Sequence, residues 1–74
     1  MEKELKTNIG KRVNKKRVEL GLSREHLADM SGITSRFLFD IEIGKKGMSI
    51  ETFIKIKETL GCSADWLLDK EIEN

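Results

Sequence analysis

The sequence contains no proline and no tyrosine, and only a single cysteine, a single histidine and a single tryptophan among 74 residues. Without proline nothing in the chain must break a helix, and no Pro-rich or Gly/Ser-rich stretch divides it into parts. One cysteine excludes an internal disulfide. No run approaches the ~20 apolar residues of a membrane-spanning helix, and no apolar signal-peptide core is present, so a reducing, cytoplasmic setting is expected. One His, one Cys, no Tyr and no paired carboxylates leave an enzyme without its usual acids, bases and nucleophiles; no catalysis, cofactor or small-molecule substrate is expected. His26 has no second His, Cys or carboxylate at ligand spacing, which argues against a metal site. The "GKKG" run, Gly44 to Gly47, lacks the GxxxxGK[ST] spacing of a phosphate-binding nucleotide loop.

What the chain does have is 38% hydrophobic residues, spread along its whole length. That supports one domain over residues 1–74, with a core spanning about 5–69 and a polar tail at 70–74. A chain this short buries only about 60% of its unfolded surface, so its core must be economical. The net charge of +1 conceals a polarity: residues 1–47 carry 11 Lys/Arg against 7 Asp/Glu, while residues 48–74 carry 3 against 6. A basic first half can meet phosphate or an acidic protein, but a pI near 7.9 is short of a strong nucleic-acid footprint.

Few β-branched runs, many Lys, Glu, Leu and Ile, and no sustained alternation of polar and apolar residues predict an all-α fold of five helices. In the first, Leu5, Ile9, Val13 and Leu20 form one stripe, and Gly21 stops it. Ser23 caps the second, which buries Leu27 and Ala28 before Gly32 turns the chain. Thr34 or Ser35 caps the third, whose inner face is Leu38 and Ile41, and Gly44 ends it. Ser49 starts the fourth, with Ile50, Phe53, Ile54, Ile56, Lys57 and Leu60 on a broad apolar side. Gly61 closes it, and Ser63 caps a last short helix with Trp66, Leu67 and Leu68.

Helices two and three are too short to persist alone and must pack on each other and on their neighbours. Ala28, Gly32, Ile33, Leu38 and Ile41 supply, in order, the small residue, the turn and the inner faces that a steeply crossing helix pair requires. This is a helix-turn-helix pattern. Through "IGKRV", "GLSREHLADMSGITSR", "DIEIGKKGMSIETFIKI" and "LGCSADWLL" the sequence resembles the Cro and phage-repressor type (XRE-like) helix-turn-helix family over residues 8–69. The resemblance implies a compact, lambda-repressor-like five-helix bundle. Its helix three, about residues 34–42, would lie in the DNA major groove while helix two crosses the sugar-phosphate backbone.

The resemblance maps base contacts onto Thr34, Ser35, Arg36 and Asp40, with Phe39 beside them. Arg36 can donate two parallel hydrogen bonds to guanine, clamp a phosphate, or be a solvated surface arginine. Asp40 can accept from the cytosine amino group, select against other bases, or simply face solvent. Phe39 should point outward, because Leu38 and Ile41 already fill the inner stripe. Three roles stay open for it: touching thymine methyl groups, lying under a neighbouring side chain, or marking a protein interface. Arg24 stands where the family often has a backbone-reaching glutamine, and Ile43 replaces a polar residue often used on phosphate. Lys45, Lys46 and the Gly47 amide can compensate. Arg17 and Glu42 match a family pair that ties helix one to the end of helix three, expected to be a partly buried ion pair. Lys16 should lay its stem along the core edge, Cys62 should be a small buried hydrophobe, and Trp66 should pack in the core or at a dimer edge.

The function implied is a sequence-specific regulator of transcription, a repressor, binding double-stranded DNA as a homodimer whose surface draws on Trp66, Leu68 and Ile72. The alternative keeps the fold but uses Phe39 and Ile43 as an apolar protein-interaction face, as in an accessory or antitoxin-like subunit.

Overall fold

Each helix begins where a side chain satisfies an otherwise unpaired first-turn amide. His26 N donates to Ser23 Oγ, Phe37 N to Thr34 Oγ1, Thr52 N to Ser49 Oγ and Trp66 N to Ser63 Oγ, all at 3.0 to 3.1 Å. The Glu2 carboxylate accepts from Leu5 N at 2.7 Å, so the first helix opens on an acidic cap that also suits the helix dipole. In the computed structural model, which describes residues 1–68, these caps open five helices: α1 (Lys3–Glu19), α2 (Arg24–Met30), α3 (Ser35–Glu42), α4 (Ile50–Leu60) and α5 (Ala64–Leu67). No strand occurs among the described residues, and the fold is the all-α bundle expected. None of these helices is long and apolar enough to cross a membrane.

One core joins all five. Ile9 and Val13 from α1, Leu27 and Ala28 from α2, Leu38 and Ile41 from α3, Phe53, Ile56 and Leu60 from α4, and Leu67 from α5 form it. α3 packs on α1 and α2, and α4 packs on α1, α2 and α5. The turn between α2 and α3 requires Gly32, whose φ of +69° is costly for any residue with a Cβ. Cys62, expected to be buried, is half-buried against the core, and this burial pushes its thiol pKa up although Lys16 and Lys57 pull it down.

Several expected core positions are not buried. Leu20 is the C-cap of α1 and is exposed; the stripe of Ile9 and Val13 continues at the i+4 position to Arg17, which is buried. The apolar residue that turns inward after the helix is Leu22, half-buried against the core. On α4 the buried stripe is Phe53, Ile56 and Leu60. Ile54 lies about 100° round from Phe53, and Ile50 opens the helix; both are exposed, Ile50 at 71%. Exposed apolar side chains are thus spread over several helices, with Val18 on α1 and Met30 on α2 besides Ile50 and Ile54. Trp66 and Leu68 are themselves half-buried against the core, with Arg12 and Lys16 over the Trp66 ring at 5.1 and 5.0 Å from its centroid. The Lys16 ammonium, which also faces Glu19 at 3.5 Å, thus lies against this edge. Ile72 and the polar tail 70–74 lie outside the described residues.

Candidate nucleic-acid interface

The α2–turn–α3 unit is fixed from behind by α1. Gly10 sits where α1 crosses α3, and a Cβ built on it would overlap the Ile41 carbonyl oxygen and lie 2.9 Å from that of Glu42. Only a glycine lets the two backbones come this close. At the same crossing Arg17 and Glu42 form the expected ion pair: Arg17 Nε donates to Glu42 Oε2 at 2.7 Å and Nη2 to Oε1 at 3.2 Å. Arg17 Nη1 also holds the Leu22 carbonyl at 2.8 Å, so the α1–α2 turn hangs on the same guanidinium.

The Glu42 carboxylate, with 1% of its side chain exposed, collects more donors than the sequence suggested. Asn14 Nδ2 donates to Oε1 at 3.0 Å and Arg24 Nε to Oε1 at 2.9 Å. Burial alone would push its pKa up. The bonds from Arg17, Asn14 and Arg24 outweigh that and hold it below the ordinary glutamate value of 4.5. Arg24, at the start of α2, is tied to Glu42 through its Nε, and 40% of its side chain stays exposed.

From this anchor the outer surface of α3 is built. Thr34 is the exposed cap, Ser35 is half-buried at the first turn, and Arg36 projects from that turn with 74% of its side chain exposed. Phe39 is half-buried, and the guanidiniums of Arg24 and Arg36 lie over its ring at 5.1 and 5.6 Å from the centroid. Of the roles left open for Phe39, lying under neighbouring side chains is the one this geometry displays. The continuous Phe39–Ile43 apolar face is absent, because cations cover the ring and only Ile43 stands open.

Asp40 requires a correction. It is 3% exposed and is not offered to a cytosine amino group. After α3 the chain turns back so that Lys45 N and Lys46 N both donate to the Asp40 carbonyl, at 2.8 and 3.2 Å. That turn closes over the side chain, whose carboxylate faces Lys46 Nζ at 3.7 Å and Arg36 Nε at 3.5 Å. Asp40 Oδ1 is enclosed and receives no hydrogen bond.

Four cations, Arg17, Arg24, Arg36 and Lys46, thus share two carboxylates, Glu42 and Asp40, on and behind this face. Lys45 is exposed beside them. The surplus is positive, as a phosphate-facing surface requires. Sequence reasoning missed Gly10 and Asn14. A glycine inside a long helix costs about 1 kcal/mol of propensity relative to alanine, and that was the available signal for a close crossing.

A family profile described as a helix-turn-helix domain matches residues 10–73. The chain is 38% identical over 73 residues to y4mF of Sinorhizobium fredii, an uncharacterized HTH-type transcriptional regulator, with 96% of each chain covered. It is 39% identical over 60 residues to YonR of Bacillus subtilis, an SPbeta prophage-derived uncharacterized HTH-type transcriptional regulator, covering 81% of this chain and 56% of that one. Among solved structures, the clp gene regulator ClgR from Corynebacterium glutamicum superposes with a TM-score of 0.84 at 26% identity, over 89% of this chain and 70% of that one. The restriction-modification controller protein C.AhdI from Aeromonas hydrophila gives 0.79 at 27% identity, over 84% and 94%.

Proposed function

Since the chain belongs to the helix-turn-helix domain family and is a DNA-binding transcriptional regulator, we propose that it represses by laying α3 in the major groove as one half of a two-fold dimer. The observation that carries this reading is Arg36: a long cation projecting from the first turn of α3, 74% exposed, on a face backed by the Arg17–Glu42 anchor. Arg36 donates two parallel hydrogen bonds to a guanine edge. Thr34 and Ser35 lie at the groove beside it, and Lys45 and Lys46 meet phosphate from the turn after α3. Asp40 holds Lys46 and Arg36 in place and contacts no base. With extents of 34 × 24 × 19 Å one copy covers about one half-site, which supports a pair of copies centred one helical turn, about 34 to 36 Å, apart.

Duplexes selected from random DNA at stated salt are expected to show a pseudo-palindrome. On that site Arg36→Ala should lose about 1 to 3 kcal/mol of preference at one G·C pair, roughly five- to 150-fold, measured by competition binding. Lys45→Ala should instead weaken all sequences alike and lower the slope of log K against log salt by about one. An Arg36→Ala protein with undiminished preference at every position refutes the assignment. For the dimer, sedimentation of the selected duplex with excess protein should give two chains per site, and a saturated complex holding one chain would reject the two-fold arrangement.

A further inference from the structure

The Phe39 ring lies between the buried anchor and the exposed arginine, and this placement has a use that neither residue explains alone. Arg24 is fixed by Glu42 at 2.9 Å, and its guanidinium lies 5.1 Å from the Phe39 centroid. Arg36 lies over the same ring at 5.6 Å, and its Nε faces the enclosed, otherwise unbonded Oδ1 of Asp40 at 3.5 Å. A solvent-exposed arginine ordinarily samples many rotamers, and ordering one on binding costs about two- to tenfold in affinity. Here the Arg36 guanidinium lies over a ring, and its Nε is turned toward a carboxylate. The two terminal nitrogens are left for an incoming guanine.

The geometry points to Phe39 as a positioning residue: through the chain Glu42, Arg24, Phe39 it holds Arg36 in its base-reading pose before DNA arrives. Phe39 itself contributes no base contact. This rests on the reading of Arg36 as the base contact, so the test separates the two.

In the free protein, the Arg36 Nε proton should carry an aromatic ring-current shift in the NMR spectrum. Phe39→Leu should abolish it and Phe39→Tyr should keep it. On the selected duplex, Phe39→Leu should lower discrimination at the Arg36 base pair about two- to tenfold while leaving discrimination at other pairs and the salt slope as they were. Phe39→Tyr should restore it. A residue acting only in folding, or on thymine methyl groups, would not give this pattern: the first weakens every position, and the second weakens an A·T pair.

The positioning role is overturned if Phe39→Leu retains full discrimination at the Arg36 pair, or if its losses spread evenly or fall on an A·T pair. If Phe39→Leu fails to unfold cooperatively in urea, Arg24→Lys decides. It keeps the charge but not the flat stacking group, should reduce discrimination at the same pair, and rejects the positioning chain if it does not. Should Arg36→Ala leave discrimination intact, the base-contact reading itself fails, whether or not the ring-current shift shows the stack to exist.

Discussion

Glu42→Ala is expected to lower stability by about 3 to 5 kcal/mol, the cost of leaving a buried charge without its partner. The partner is Arg17, whose side chain is only 10% exposed and would lose the acceptor for both Nε and Nη2. Asn14 and Arg24 lose their acceptor in the same step. A domain of this size has on the order of 5 to 10 kcal/mol to lose, so the variant should sit near its unfolding transition in dilute buffer, seen as a urea midpoint shifted by half or more. Glu42→Gln, which keeps an acceptor oxygen and the side-chain shape, should lose less. Removing both members with apolar residues of similar volume, as in Arg17→Met with Glu42→Leu, should recover much of the loss, because the pair's net worth is far smaller than the penalty for halving it. A Glu42→Ala midpoint equal to that of the parent would mean that water reaches Arg17 freely.

The same carboxylate sets an acid limit. Its pKa in the folded chain is held below 4.5 by Arg17, Asn14 and Arg24 against the upward push of burial. A carboxylate depressed in the folded state contributes its full stabilisation above its unfolded pKa and loses it as the pH falls through the folded value. Stability from this group should therefore be level at neutral pH and decline below about pH 4.5, toward the lowered value. The Glu42→Gln variant should show a shallower acid dependence. Equal acid dependence in the two proteins would assign the transition to other carboxylates.

Gly10→Ala tests the crossing itself and sets two effects against each other. In an isolated helix the change should stabilise by about 1 kcal/mol. At this position the new Cβ overlaps the Ile41 carbonyl oxygen and presses that of Glu42, and both are backbone atoms that cannot swing aside. Overpacking of this kind costs about 3 kcal/mol, so a net loss of about 2 kcal/mol is expected in urea unfolding. DNA affinity should fall as well, because separating α1 from α3 moves the anchor of the reading helix. A Gly10→Ala protein more stable than its parent would show that α1 and α3 can part without cost.

Much of this was legible in local chemistry. Ser23, Ser49 and Ser63 cap helices where they were expected to, and of the two candidates for α3 it is Thr34 that accepts the bond. Leu27, Ala28, Leu38 and Ile41 are buried as their spacing required. Capping and periodicity involve atoms within a few residues of each other, so the order of residues carries them. The same reasoning overcounted the apolar face of α4, because a run of isoleucines specifies which residues are apolar but not how wide a face the neighbouring helices cover. The family resemblance also mapped a base contact onto Asp40, which is buried, because a position on α3 does not reveal how the chain that follows the helix packs.

The sequence by itself determined five helices, four of them with their caps, a helix pair too short to stand alone, and a first half richer in basic residues. These follow from backbone hydrogen bonding and side-chain period, which act over one or two turns. Only the tertiary structure decided that Glu42 gathers Arg17, Asn14 and Arg24, that Asp40 is closed under the turn after α3, and that Phe39 carries two guanidiniums. Those contacts bring together side chains from different helices. Electrostatic and stacking partners are set by distance in space, which the packing of α1 against α3 creates and no local pattern encodes.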